Sequence, residues 1–183
     1  MSEIKLSINK EKVHFFIKTY NLNTTEREYV YDMQVNILKY INMGDLQPAF
    51  VFSTNPLIIA SYTDEFDDVI LLKYPQEFVD EYKLKENDKL ITSNVYWKIN
   101  KSPYKDINLG ILGSTTYKDV YPFVLKFLVN EEDEIKEYCT QFSDYIWEYL
   151  KNKTYGRVVL SQTEPRDGMF YYFRGDKRWK RKY

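Results

Sequence analysis

Between residues 49 and 74 three dense apolar runs follow one another, each closed by a turn, and a chain patterned this way has few choices but a sheet. The runs are residues 49–53 (Ala-Phe-Val-Phe-Ser), 57–62 (Leu-Ile-Ile-Ala-Ser-Tyr) and 69–74 (Val-Ile-Leu-Leu-Lys-Tyr). Thr54, Asn55 and Pro56 separate the first two. Proline lacks a ladder donor and pushes the residue before it toward extended or turn geometry, so a hairpin is expected there. The polar loop 63–68 closes a second hairpin, which makes the simplest topology an antiparallel meander. Residues 57–60 are apolar without alternation, as in a central strand covered on both faces. Val95, Trp97 and Ile99 alternate with Asn94, Tyr96 and Lys98, which predicts a half-exposed fourth strand at 90–99.

Helical spacing appears on both sides of this centre. After a short extended start at Ile4, Leu6 and Ile8, the residues Val13, Phe16, Ile17 and Tyr20 predict a helix from about Lys10. Thr25 and Glu28 form a capping box ahead of a helix carrying Val30, Met33, Ile37, Leu38 and Ile41 on one stripe and ending at Gly44. Pro75 opens a short helix through Tyr82, and residues 121–129 read as another. A long helix is expected after Asn130, with Glu131, Glu132, Asp133 and Glu134 in its first turn, Lys151 and Lys153 near its end, and Ile135, Tyr138, Cys139, Phe142, Ile146, Tyr149 and Leu150 on one face. Residues 100–116 hold Pro103, Gly110 and Gly113 without a period and read as a long loop. Residues 157–161 and 169–174 flank Pro165 and an Asp167-Gly168 turn, which predicts a C-terminal hairpin. The fold class is α+β: a mainly antiparallel sheet, made of a meander around residues 49–99 plus that hairpin, packed with several amphipathic helices. At 183 residues this is one domain, with a short basic tail from about residue 175.

Residue types restrict the chemistry. One histidine, His14, and one cysteine, Cys139, cannot build a His/Cys zinc site, and no Gly-x-Ser-x-Gly elbow is present. A lone His beside apolar residues reads as structural, so no catalytic residue, resident metal or cofactor is expected. Gly110, Gly113, Ser114 and Thr116 lack the lysine and the glycine spacing of a P-loop and read as ordinary loop. A single cysteine leaves no internal disulfide, and charges interrupt the N-terminal apolar residues where a signal peptide would need a continuous run. No run reaches the roughly 18 to 20 apolar residues of a membrane span. A cytoplasmic location without a membrane span is therefore expected.

Three groups point outward to partners. Asp64, Glu65, Asp67 and Asp68 crowd four carboxylates into the loop 63–68; they read as a solvated hairpin tip that resists edge association, and alternatively as oxygen ligands for Mg2+ in a small enzyme. The chain carries 18 Tyr, 11 Phe and 3 Trp, more rings than a core accommodates with satisfied hydroxyls, so surface tyrosines such as Tyr104 and Tyr117 in or beside the long loop are candidate contacts. Arg174, Lys177, Arg178, Trp179, Lys180, Arg181 and Lys182 give the tail a net charge of +5 around one indole, a pattern suited to phosphates and stacked bases. The net charge of −1 for the whole chain selects no such partner by itself. The leading expectation is a non-catalytic protein-binding module of bacterial or phage type, an immunity, inhibitor or adaptor protein. Nucleic-acid binding by the tail and a Mg2+-dependent enzyme at the acidic loop are the alternatives.

Overall fold

A computed structural model describes residues 5–20, 27–98 and 106–169. In order along the chain these form α1 (Lys10–Thr19), α2 (Arg27–Met43), β1 (Asp45–Thr54), β2 (Leu57–Thr63), β3 (Asp68–Tyr74), α3 (Glu77–Tyr82), β4 (Lys89–Trp97), β5 (Asp119–Val124), a 3-10 turn (Leu125–Phe127), α4 (Glu132–Cys139), α5 (Asp144–Tyr155) and β6 (Arg166–Asp167). The six strands make one sheet in the order β5-β4-β1-β2-β3-β6, antiparallel except for the β3–β6 pair. The α+β class and the meander of β1, β2 and β3 agree with the sequence reading. β4 joins beside β1, away from β3.

Pro48 sets the shape of the sheet. β1 pairs with β4 from Asp45 to Phe50 and with β2 from Ala49 to Thr54, so the strand changes neighbours where the proline sits. Proline brings no N–H, and the β1–β2 ladder stops at the Ala49–Ser61 pair one residue away. β2 runs on to Thr63 without β1. Side chains from β4 serve the groups left over: Asn94 Nδ2 donates to the Tyr62 carbonyl (2.8 Å), and Ser61 Oγ and Thr92 Oγ1 share a hydrogen bond of 2.7 Å. All three side chains are fully buried, where an unmet polar group costs about 1–3 kcal/mol.

The sheet curls until its two ends meet through one segment. β6 lies against β3, yet Arg166 Nη1 donates to the Val120 carbonyl of β5 (2.7 Å), and Tyr121 Oη of β5 donates to the Gly168 carbonyl (2.7 Å). A Cβ on Gly168 would stand 2.5 Å from the Tyr74 ring, so the closure needs glycine there. Much of the aromatic content goes inside. Phe16, Tyr20, Tyr74, Phe78, Tyr82 and Phe127 join α1, β3, α3 and the 3-10 turn in one cluster, with Phe78 and Phe127 centroids 4.9 Å apart in edge contact.

Several expectations change. Residues 121–124, expected to open a helix, belong to the strand β5, because all six of its residues are buried between β4 and the closing segment, and a fully buried run of six carries no helical stripe. The long helix after Asn130 is two helices. Thr140 Oγ1 and its amide both turn back to the Glu137 carbonyl, and Ser143 is extended (φ −65, ψ 157) as the cap of α5. The break rotates Trp147, which lies off the predicted stripe, into the core. Residues 157–160 continue α5 as a π turn from Gly156 to Leu160 and are no hairpin strand, because Arg157 is drawn inward by buried carboxylates. The second strand of that hairpin, the Thr25–Glu28 cap and Tyr104 lie outside the described residues, as do all seven candidate residues of the basic tail.

Candidate functional site

The acidic loop is split by one aromatic residue. Phe66 is fully buried, with its ring 5.9 Å from that of Tyr96, and its insertion turns the chain so that Asp67 takes a left-handed conformation (φ 48) that aspartate tolerates. Asp67 and Asp68 go inward behind Phe66, at 2% and 4% exposure, while Asp64 stays outside and Glu65 half outside. The uniformly solvated tip expected from composition is therefore half a tip. A tight turn with an apolar plug at its centre draws the next residues of the chain into the core.

Buried carboxylates need partners, and these come from three other parts of the chain. Asp67 accepts from Tyr149 Oη (2.8 Å) and Tyr62 Oη (3.1 Å) and faces Lys153 Nζ at 3.4 Å. Asp68 accepts from the Asn108 amide (2.9 Å) and faces Arg157 at 3.5 Å. Arg157 also donates to the Asp106 carbonyl, and Arg166 grips the Asp106 carboxylate with two donors and meets Asp119 at 3.0 Å. Burial pushes the Asp67 carboxyl up, but Tyr149, the Leu112 amide, Tyr62 and Lys153 together outweigh it and hold it below the ordinary range. For Asp68 burial wins over the Asn108 and Val69 amides and the cations, and the carboxyl is raised. Asp119 is raised the same way against Arg166. Burial also pushes the phenols of Tyr62 and Tyr96 well above their ordinary value, so both remain donors.

The long loop is laid along this turn and held by backbone bonds. The Gly110 amide donates to the Phe66 carbonyl (2.8 Å), the Leu112 amide to Asp67 Oδ2 (3.4 Å), and the Ser114 amide to the Glu65 carbonyl. The approach is too close for side chains: a Cβ on Gly110 would stand 2.2 Å from the Asp67 carbonyl oxygen, and one on Gly113 2.5 Å from that of Phe66. Between these glycines, Ile111 is fully exposed and Leu112 is 82% exposed. Two large aliphatic side chains thus stand in water on a braced mount, next to the outward carboxylates of Asp64 and Glu65.

Of the residues expected to meet a partner, Asp64 and Glu65 are at the surface, Asp67 and Asp68 are locked inside, and Tyr117 is half-buried against Tyr96 under the Lys98 ammonium. His14 lies on the outer face of α1. Among the described residues no three His, Cys, Asp or Glu side chains converge as metal ligands, and no helix is long and apolar enough to cross a membrane. The sequence reading missed Ile111 and Leu112, whose signature is an aliphatic pair between two glycines in a polar loop. It also missed Tyr149, Lys153 and Arg157, spaced four apart on one helix face, as the cations and donors that answer the acidic loop. Comparison with family models, with curated proteins and with solved structures returns no match.

Proposed function

We propose that this protein is a non-catalytic binding module, of the immunity, inhibitor or adaptor kind, that holds one cytoplasmic protein through the tip at Ile111 and Leu112 and the acidic rim at Asp64 and Glu65. The exposure of that aliphatic pair on an ordered mount carries the reading. Solvated aliphatics cost free energy until something covers them, and a mount fixed by Asp67, Phe66 and two glycines loses little entropy when it is covered. The rim adds charge, so the partner that fits offers an apolar pocket bordered by Lys or Arg. The inward carboxylates serve the mount and stay out of chemistry: their oxygens already accept from tyrosine, amide, ammonium and guanidinium donors.

The test compares tagged wild type with the double variant Ile111→Asp, Leu112→Asp in affinity purification from lysate of the natural source, each split into nuclease-treated and untreated halves. One near-stoichiometric protein that survives nuclease, is captured by wild type and is missing from the variant is the expected result. Equal thermal melting of the two proteins shows that folding is unaffected. The same protein on both baits, material that disappears with nuclease, or turnover of a substrate by the purified protein would each overturn the reading.

A further inference from the structure

A second surface feature lies away from the acidic turn, between α4, the start of β4 and the 3-10 turn. It is a cleft of about 250 Å3 lined by Asp88, Lys89, Leu90, Ile91, Lys126, Glu132, Ile135, Lys136 and Cys139. Its floor is apolar, since Leu90, Ile91, Ile135 and Cys139 are all buried. One of its two acids is ion-paired and the other is held by a backbone amide. Glu132 is held by Lys12 at 2.7 Å, and Asp88 Oδ2 accepts the Lys85 amide at 2.8 Å. Lys136 leans at 3.5 Å toward the exposed Asp133. Lys89 and Lys126 pair with no carboxylate among the described residues, and Lys89 is steadied by the Trp147 ring, 4.6 Å from its ammonium.

The local field agrees with this inventory. Glu132 is held below the ordinary carboxylate range first by the Lys12 hydrogen bond and, more weakly, by Lys126 and Lys136, against burial. Burial pushes the Cys139 thiol up, and Lys89 opposes it. Two ammonium groups with no ion-pair partner among the described residues, in the lining of a cleft with an aliphatic floor, suit an anionic head and an apolar body. The size is restrictive too, since the volume lies below that of drug-sized sites.

We infer that this cleft is a binding site for a small amphipathic monoanion, a carboxylate on a short hydrocarbon chain, with Lys89 and Lys126 taking the head and Leu90, Ile91, Ile135 and Cys139 the chain. The inference is independent of the partner surface at Ile111 and Leu112. Cys139 is the sole cysteine of the chain and lies at the floor, so any alkylation is confined to this site.

Hexanoate is the probe, hexanol and inorganic phosphate are the controls, and the readouts are titration calorimetry and the rate of Cys139 alkylation by a maleimide. Hexanoate should bind saturably at one site and slow alkylation, and hexanol and phosphate should each bind at least about tenfold more weakly, because each lacks one half of the recognition. The variant Lys89→Gln, Lys126→Gln keeps the stems and loses the charge, and should weaken hexanoate by about ten- to a hundredfold with unchanged melting. A second variant, Ile135→Asn, should weaken hexanoate without creating phosphate binding. No saturable binding of hexanoate, equal binding of phosphate or hexanol, or equal affinity in the lysine variant would each overturn the inference.

Discussion

Two acidic clusters look alike in the sequence and end in opposite environments. Residues 64–68 and 131–134 each carry four carboxylates in a short span. In the first, Phe66 is a plug, the chain dives, and Asp67 and Asp68 become buried acids that need Tyr149, Tyr62, Lys153 and Arg157 around them. In the second there is no plug. Glu132, Asp133 and Glu134 line the first turn of α4 in water, Lys12 reaches Glu132, and Glu131 accepts from the amide and hydroxyl of Ser7. The difference lies in what a turn does with its apolar residue. Equal charge density then gives a structural lock in one place and a solvated helix start in the other.

The largest expected effect is in the lock. Arg157→Ala leaves Asp68 buried without its cation, and stranding a buried charge costs about 3–5 kcal/mol, a fall in Tm of roughly 10 °C at this chain length. The deficit should depend on pH. Asp68 has a raised carboxyl pKa, so the stability it contributes is present below the unfolded value and is lost as pH rises through the folded one. Acidification from pH 7 therefore neutralises the stranded group, and the gap between wild type and variant should narrow before the ordinary carboxylate range near pH 4 is reached. A gap that stays constant over that window would show that Asp68 does not change its ionisation there.

Asp67→Asn comes next, at about 1–3 kcal/mol, because the amide keeps one acceptor but turns a donor toward Lys153 or the Leu112 amide. Here the sign is opposite. The Asp67 carboxyl lies below the ordinary range, so its contribution is complete above the unfolded pKa and disappears only as pH falls through the lower folded value. Melts of the two variants across pH should thus converge on wild type in different windows, Arg157→Ala above about pH 4 and Asp67→Asn below it. Convergence in the same window would mean that the two acids titrate as one unit.

The sheet was legible because its cues are local: the Asn55-Pro56 turn and the unbroken run 57–60 act over a few residues, whereas the alternation at 94–99 promised a half-exposed strand and β4 is buried on both faces from Leu90 to Val95, Asn94 included. The curl was not. It depends on Pro48 interrupting one ladder of β1 while the other continues, and on Arg166 reaching Val120 and Tyr121 reaching Gly168 across 46 and 47 residues of chain. Periodicity also misplaced residues 121–124, since a strand buried on both faces and an inner helix share one composition. Charge was visible and burial was not. Nothing in the spacing of Asp64, Glu65, Asp67 and Asp68 says that Phe66 divides them, and the braced tip at Ile111 and Leu112 exists only because the loop finds that divided turn.

The smallest effects belong to the second cluster, and salt separates them from the first. Glu132→Gln removes a pair whose acid is 47% exposed, so after solvent screening it should cost at most about 1 kcal/mol, and Glu134→Gln should leave Tm unchanged. At 1 M salt the screening length drops to about 3 Å, which should erase the Glu132→Gln difference. The Arg157→Ala difference should survive the same salt, because ions do not enter a site where both partners are less than a tenth exposed. Melting the three variants at low and high salt therefore ranks the two clusters directly. If the Arg157→Ala difference fell with salt as steeply as the Glu132→Gln difference, the carboxylates after Phe66 would be as wet as those that open α4, and the division made by the plug would fail.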